Sequence, residues 1–364
     1  MALAHYQQHL YNWLMRKSPV SAVRRIAELP IAMASDVGLV RSENQDRAAI
    51  LRLKLTECHS SVVVVLCDGM GGMSDGAECA SLAIAAFLSS NVQNANLSLQ
   101  DRILISVKNA NDAIFSKYTG NGGATLSAFI VDNQYGILGV NVGDSRIYSI
   151  ANSNLSQITV DDTMAGQYPQ ENENIPGRHD LLQYVGMGQG IQPHIVTFPN
   201  DSEIQNILLT SDGMHFLNKQ TMESVIKNAS DSALAIRRLI ELAKWCGGHD
   251  NASGIIVSNL SSLLMPKPNT NFGNIEIWDA FGEVQFISNQ NSLEGAFKPE
   301  IKSEVKVSKD KKTKTMSKRT PINKETQIGK EAIPMKKRNV KNADSDQAKE
   351  KKPVPQLEID FNAH

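Results

Sequence analysis

The feature that most constrains the fold is an uninterrupted apolar run at residues 62–67, which ends at an aspartate. Such a run predicts a strand that is buried on both faces, since a half-exposed strand would alternate with polar residues. Asp68-Gly69-Met70-Gly71-Gly72 follows directly, so a carboxylate leaves the core where glycines let a ligand approach the backbone. The position suits a hard cation, although aspartate and glycine are also ordinary turn residues. By itself the motif fits either interpretation.

The order of the remaining elements favours an α+β fold. Apolar spacing predicts helices at 1–28, 77–88, 99–115, 219–228 and 232–245, and strands at 31–40, 47–55, 124–131, 135–142, 146–150, 194–198, 207–210 and 254–257. The later helices come in pairs and do not follow every strand, so mixed layers fit better than a doubly wound parallel sheet. Residues 161–190 form a long polar connection of the kind that is often functional.

Composition restricts the cellular setting. No apolar segment of the 364 residues approaches the roughly 20 needed to span a bilayer, and polar residues interrupt every candidate signal peptide near the N-terminus. The four cysteines are scattered without a CxxC pair, which argues against a zinc site or a disulfide framework. We therefore expect a cytoplasmic protein without membrane attachment.

The C-terminal part has a different composition. Pro266 and Pro268 indicate a boundary, and residues 274–287 contain two short alternating runs that predict a hairpin or a partner-binding strand. Between residues 297 and 352, 18 Lys and Arg stand against 8 Asp and Glu, and we expect disorder there. This basic tail has no interleaved aromatic residues, so nucleic-acid binding is not favoured over a solvated linker.

Four further aspartates share the setting of Asp68. Each lies beside the end of an apolar strand: Asp46, Asp144, Asp212 and Asp250. Any one alone is better explained as a turn residue, but five in this arrangement are not. Gathered on one edge of a sheet, the carboxylates would repel each other without cations, which predicts a polynuclear Mg²⁺ or Mn²⁺ site. An EF-hand is a poor alternative because these residues are far apart in the chain.

In order and spacing, these motifs resemble the bacterial members of the PPM/PP2C-type metal-dependent serine/threonine protein phosphatases. The resemblance covers about residues 30–260. It rests on 38–41 (Gly-Leu-Val-Arg), 44–46 (Asn-Gln-Asp), 68–72, 122–125 (Gly-Gly-Ala-Thr), 142–146 (Val-Gly-Asp-Ser-Arg), 211–213 (Ser-Asp-Gly) and 250–251 (Asp-Asn). It implies a four-layer αββα sandwich of two antiparallel sheets flanked by helix pairs, with a dinuclear centre of Mn²⁺ or Mg²⁺ at one end.

The resemblance also implies residue roles. Asp68 would bridge two ions, the Gly69 carbonyl would ligate one of them, and Asp212 and Asp250 would complete the other. Asp46 would hold metal-bound water, and Asp144 would help to bind a third, weaker ion. Arg41 would grip the substrate phosphate through bidentate contacts. Water bridging the ions would attack phosphorus directly, without a covalent phosphoenzyme.

The chain departs from the family pattern at several positions. Met70 stands where many eukaryotic relatives have a histidine proposed to protonate the leaving group, and His249 is a weak substitute. Gln45 replaces a glutamate of some relatives, which removes a negative charge. Asp161-Asp162-Thr163 stands where bacterial relatives commonly have Asp-His-Ser.

We expect four regions: an N-terminal helical extension (1–29), the phosphatase domain (30–262), a linker, hairpin or docking segment (263–290) and a disordered basic tail (291–364). The expected substrates are phosphoproteins. A cognate kinase or scaffold is expected to dock through 270–290, with Trp278 and Phe281 as candidates. Deletion of 266–364 is expected to leave activity intact. The competing hypothesis is a phosphatase-like adaptor that binds phosphoproteins with little catalysis.

Overall fold

The structure is a computed structural model, and it describes residues 2–70, 75–168, 176–198, 206–265 and 273–286. All of these residues belong to one compact unit. Among them, no helix is long and apolar enough to cross a membrane.

Two sheets with antiparallel pairing throughout form the centre of this unit. The first has the order β1-β2-β11-β10-β7-β8, and the second β13-β12-β3-β4-β5-β6-β9. The strands are β1 (Ser21–Ile26), β2 (Ile31–Asp36), β3 (Asp46–Lys54), β4 (Ser60–Asp68), β5 (Leu126–Asp132), β6 (Gly136–Val142), β7 (Arg146–Ala151), β8 (Asn154–Gln157), β9 (His194–Val196), β10 (Asn206–Thr210), β11 (Ala252–Val257), β12 (Ile275–Trp278) and β13 (Glu283–Phe286).

The described residues also form eight helices. They are α1 (Ala2–Leu14), α2 (Gly76–Gln93), α3 (Leu99–Tyr118), α4 (Met164–Gln167), α5 (Asp212–His215), α6 (Lys219–Lys227), α7 (Ser232–Trp245) and α8 (Ser261–Leu264). Three apolar cores separate the layers: one between α1–α3 and the seven-stranded sheet, one between the sheets, and one between the six-stranded sheet and α6–α7. This confirms the predicted αββα sandwich and the helix pairs.

The apolar run at 62–67 lies in β4, at the centre of the seven-stranded sheet. Val63 and Val65 face the helix-side core, whereas Val64 and Leu66 face the core between the sheets. Both faces of the strand are therefore covered, as the absence of alternation predicted.

The N-terminal expectation was only partly right. Helix α1 ends at Leu14, and Ser21–Ile26 is not helical but forms β1, an edge strand paired with β2. The helical spacing is confined to residues 3–14, whereas Ala22 and Val23 pack against the cores on the two opposite faces of the six-stranded sheet. The first 29 residues thus contribute a strand to the sandwich as well as a helix.

The C-terminal hairpin was correctly predicted, but it is not a free docking segment. Strand β12 pairs with β13 and also with the edge of β3, so the hairpin extends the seven-stranded sheet beyond the boundary expected at residue 262. Trp278 is only 4% exposed and packs between the two sheets, with Phe281 partly buried against the same core. Trp278 therefore cannot serve as the docking residue that the sequence suggested, because it is part of the core.

Side-chain contacts connect the N-terminal segment to the β12–β13 hairpin. Arg16 donates to Asp279 at 2.7 Å, and the Asp279 carboxylate also accepts the backbone N–H groups of Phe281 and Gly282 in the hairpin turn. The ring of Tyr6 on α1 packs edge-on against Phe286, with centroids 4.7 Å apart. Both chain segments are integral to the described unit.

The expectation that residues 266–364 are dispensable is replaced by a sharper prediction. A chain ending at residue 290 keeps β12 and β13, and its melting temperature should stay within about 2 °C of that of the full chain, a change of well under 1 kcal/mol. A chain ending at residue 265 uncovers the β3 edge and removes Trp278 from the core. Loss of a buried tryptophan alone costs about 3–5 kcal/mol, so this chain should unfold at least 10 °C earlier or not fold. Thermal melts of the two truncations decide the matter, and equal melting temperatures would show that the hairpin is dispensable.

Candidate metal centre

The antiparallel register brings the five predicted aspartates to one edge of the sandwich. Asp46 begins β3 directly opposite Asp68, which ends β4. Asp212 opens α5 just after β10, and Asp250 lies just before β11, the strand paired with β10. Asp144 lies in the turn between β6 and β7. Strand ends from both sheets thus meet here, which is why residues so distant in sequence are neighbours.

Asp46 is the most deeply buried of the five. Its Oδ2 accepts a hydrogen bond from Ser211 at 2.7 Å, while its buried Oδ1 has no partner. Burial raises the pKa of Asp46 to about 7, and the charges of Asp212 and Asp250 add to this increase. A carboxylate with one unsatisfied oxygen in such a setting lacks a positive partner.

Asp68 and Asp212 interact directly. Burial raises the pKa of both groups, Asp46 raises that of Asp68 further, and the two carboxyl groups are within hydrogen-bonding reach of each other. Two buried carboxylates in contact are stable only if they share a proton or a cation. Asp212 Oδ1 is also buried without a partner, so this pair has unused oxygen ligands.

Asp144 is half-buried at the edge of the same group. Its pKa is raised to about 7, first by burial and then by the charges of Asp212 and Asp161. The Asp144 carboxylate is therefore near enough to Asp212 to interact with it electrostatically.

Arg41 and Asp250 form the outer side of the centre. The Arg41 guanidinium contacts the Asp250 carboxylate at 2.6 Å, and this hydrogen bond raises the pKa of Arg41. Asp212 and Asp68 also contribute to that increase. The structure therefore places the one predicted phosphate-binding arginine beside the carboxylates.

Gly69 is required by a close approach of two backbone segments. A Cβ at this position would lie 2.1 Å from the Gly76 carbonyl oxygen, so no larger residue fits. The Gly69 N–H donates to the Gln45 carbonyl at 3.3 Å, and the Met70 N–H donates to the Gly123 carbonyl at 3.1 Å. Gly71 and Gly72 of the motif lie outside the described residues.

The side chains fit hard cations through their chemistry and not through a preformed cage. Across the described ranges, no group of three His, Cys, Asp or Glu side chains stands ready to hold a metal ion. The Asp250 oxygens are engaged by Arg41 and by the Asn251 N–H, and one Asp46 oxygen by Ser211. The orphaned oxygens of Asp46 and Asp212, together with the raised pKa values, nevertheless indicate an oxygen-rich site that is short of positive charge.

Sequence reasoning gave no role to Asn251, whose side chain holds the 37–45 loop beside the centre. Its buried amide donates to the carbonyls of Val37 and Glu43 and accepts the Gln45 N–H, at 2.8–3.0 Å. It therefore fixes both ends of the loop that carries Arg41. The neighbouring Asp250-Asn251 motif was the only available signal.

A buried chain of polar groups supports Asp46 from the six-stranded sheet. Asn44 donates to the Ser35 hydroxyl, which contacts the Ser253 hydroxyl at 2.8 Å, and the Ser253 N–H donates to the Ser211 hydroxyl that reaches Asp46. The serines had no pattern that distinguished them from other strand residues.

Arg47 supports the same segment from behind. It donates to the carbonyls of Asn44 and Asp46 at 2.8 Å and to the carbonyl of Leu14, the last residue of α1, at 3.1 Å. The N-terminal helix is therefore connected to the backbone that carries Asp46.

The unusual Asp161-Asp162 pair has a structural explanation. Asp161 receives a bidentate contact from Arg146, and Asp162 accepts the Gly143 N–H at 2.8 Å and contacts His194 at 2.7 Å. Asp162 thus holds the turn that carries Asp144 against the 161–190 connection. Asp162 stands where the common family pattern has a histidine. Its carboxylate contacts three groups: the Gly143 N–H, His194 and the side-chain amide of Gln183.

Asn251→Ala should destabilise the protein by about 2–4 kcal/mol, because it leaves buried backbone donors and acceptors of the 37–45 loop unsatisfied. Chemical denaturation measures this change. The matched control is Asn228→Ala, an exposed position with one hydrogen bond to its own helix, which should change stability by less than about 1 kcal/mol. An equal effect of both substitutions would contradict the role of Asn251.

The crowded carboxylates predict that the metal-free protein loses stability as pH rises. The pKa values of Asp46 and Asp144 are about 7 in the folded chain and 3.8 in the reference state, so the folded state binds more protons below pH 7. Their contribution is lost as pH rises through 7, by about 1–2 kcal/mol in total between pH 6.5 and 8.5. Buried His215, whose pKa is lowered well below 6.5, opposes this trend only below that range.

Thermal melts in EDTA at pH 6.5 and 8.5 measure this loss, and saturating Mn²⁺ should reduce it. Asp46→Asn should raise the melting temperature in EDTA at pH 8.5, whereas Asp112→Asn, at an exposed site on α3, should not. A melting temperature that does not fall with pH in EDTA would contradict the prediction.

Comparison with known proteins agrees with this geometry. No family model matches the chain. The curated serine/threonine protein phosphatase PstP of Mycobacterium tuberculosis is 29% identical over 243 residues, which is 63% of this chain and 44% of that protein. The serine/threonine phosphatase stp of Listeria welshimeri is 26% identical over 240 residues, covering 61% of this chain and 93% of that protein. This chain thus matches less than half of PstP but nearly all of stp.

Solved structures give the same result. The catalytic domain of PstP in complex with two manganese ions superposes with a TM-score of 0.52 at 27% identity, over 65% of this chain and 98% of that one. The PPM Ser-Thr phosphatase MsPP of Mycobacterium smegmatis, in complex with cacodylate, gives 0.52 at 27% identity over 63% and 97%. The fold, the aspartates at one sheet edge and these similarities lead to one conclusion: this chain is similar in sequence and in fold to the bacterial PPM-type serine/threonine phosphatases.

Proposed function

We propose that this chain is a metal-dependent protein phosphatase that hydrolyses phosphoserine and phosphothreonine on proteins and opposes a Ser/Thr kinase. The observation that carries the proposal is the meeting of five aspartates from both sheets at one edge, with Arg41 beside them. Two of these carboxylates have a buried oxygen without a partner. An anionic substrate could approach this edge only if bound cations offset the negative charge of the aspartates.

Two divalent cations, Mn²⁺ or Mg²⁺, would be held by Asp68, Asp212, Asp250 and the Gly69 carbonyl, with Asp144 available to a weaker third ion. When bound, such cations supply Lewis acidity that activates water and neutralises phosphoryl oxygens. The two manganese ions in the PstP catalytic domain support this assignment.

The chain's own residues bind and orient the reactants. Arg41 has five N–H donors, and its Asp250 contact uses Nη2, so other donors remain for phosphate oxygens. The free Oδ1 of Asp46 can accept a hydrogen bond from a water at the centre, while Ser211 fixes the other oxygen. Asn251 holds the Arg41 loop in place for this task.

Residues 68–70 (Asp-Gly-Met) do not supply the proton for the leaving group. Met70 has no ionisable group, and its sulfur lies about 3 Å from the position that a Cβ on Gly123 would take. His249 is exposed and adjacent to Asp250, which makes it a candidate donor. Otherwise the donor is a water at the centre.

The setting and partners follow from the same proposal. Phosphoproteins are the substrates, and the cytoplasm is the proposed compartment. The buried thiol of Cys67 suits a reducing environment. The adaptor alternative gains no support, because the similar curated proteins carry the name of phosphatases.

Activity against a phosphothreonine peptide tests the proposal. Phosphate release should require Mn²⁺ or Mg²⁺, stop with EDTA, and fall at least about 100-fold in Asp68→Asn, since an amide cannot supply the bridging charge. Arg41→Ala should mainly raise KM. Asp112→Asn, an exposed control, should behave as the parent. Metal-loaded parent protein that binds the peptide without turnover would favour the adaptor instead.

A further inference from the structure

Several of the most exposed large apolar side chains in the described part of the chain lie on segments that contact one another. Trp245, Val20, Val40 and Leu39 are 83%, 71%, 66% and 65% exposed. Single exposed apolar residues are normal on a protein surface, whereas grouped ones indicate a binding surface. We call these four side chains the apolar rim.

Backbone contacts connect the three chain segments that carry the rim. The Leu39 N–H donates to the Gly248 carbonyl at 2.8 Å. The Gly248 N–H in turn donates to the Ala243 carbonyl, in the turn that follows Trp245 at the end of α7. Val37, two residues before Leu39, donates to the Val20 carbonyl at 2.9 Å. The three chain segments of the rim are therefore tied together around the 37–41 loop.

The rim borders the metal centre. Val40 directly precedes Arg41, whose guanidinium binds Asp250. A Cβ at Gly38 would lie 2.3 Å from the Asp250 carbonyl oxygen, so the loop lies directly on the segment that carries that carboxylate. The same loop thus presents a phosphate-binding arginine and two exposed apolar side chains.

The charges next to the rim favour an apolar occupant. Lys244, beside Trp245, pairs with Asp36 at 3.1 Å, and Arg41 pairs with Asp250. These two basic groups are already matched by acidic ones, so neither adds an unopposed positive charge beside Trp245 or Val40.

On the basis of the proposed function, we propose that the apolar rim binds a large apolar side chain of the phosphoprotein substrate. Consecutive Cα atoms are about 3.8 Å apart, so Leu39 and Val40 lie within about 8 Å of the Arg41 backbone. An extended peptide advances about 3.3 Å per residue. A phosphate at Arg41 therefore places residues two to four positions away over the rim, with Trp245 as the main contact.

Matched phosphothreonine peptides test this substrate class. One pair of peptides carries leucine or serine three residues before the phosphothreonine, and a second pair carries them three residues after it. The full chain with Mn²⁺ should have a kcat/KM at least about fivefold higher for a leucine peptide in one of the pairs, mainly through KM. Trp245→Ser and Leu39→Ser should each reduce this ratio to below about twofold.

The control variant is Tyr135→Ser, which removes an exposed aromatic residue from the β5–β6 turn at the opposite end of the strands and should keep the leucine preference. Hydrolysis of para-nitrophenyl phosphate, which has no peptide flanks, reports on the metal centre alone. Failure of the parent on this compound would reject the proposed function. Normal hydrolysis with no leucine preference, or a preference that survives both rim substitutions, would reject the rim. Light scattering that shows a dimer broken by Trp245→Ser would assign the rim to self-association and also overturn the proposal.

Discussion

The structure depends on one unfavourable arrangement, the direct opposition of Asp46 and Asp68 across the β3–β4 pair. Like charges in a cross-strand pair destabilise a sheet, and burial increases the cost. The chain tolerates them because the strands behind them are covered on both faces by apolar cores. The raised pKa values of both groups are the signature of this conflict, and divalent cations are the natural means of relieving it.

Residues from several distant parts of the fold hold Asp46 in position. Ser211 reaches it from the six-stranded sheet, while Arg47 connects its backbone to the end of α1. Arg16 then joins the N-terminal segment to the hairpin turn at Asp279. Both ends of the described unit thus contribute to the position of one carboxylate, which explains why the unit extends beyond the range of the family motifs.

The sequence anticipated the centre better than its surroundings, and particular residues show why. Asp46, Asp68, Asp144, Asp212 and Asp250 were recognisable because each combines a strand end with a polar residue, and the order of the motifs is specific. Trp278 was misjudged as a docking residue, since a short hairpin after two prolines looks detached in sequence. Only its pairing with β3 shows that it is core. Strand β1 was missed because it follows a helical segment directly, and only its pairing with β2 shows that it is a strand.

By itself, the sequence determined a mixed α+β class and the identity of the acidic residues, because apolar periodicity and strand-end chemistry are local properties. The αββα layers were implied only by the resemblance of the ordered motifs to a known family. The tertiary structure decided which groups share an environment: that Asp46 faces Asp68, that Asn251 holds the Arg41 loop, and that the turn after α7 contacts the backbone of Leu39. These relations depend on register and on contacts between residues more than 200 positions apart, which no local pattern records.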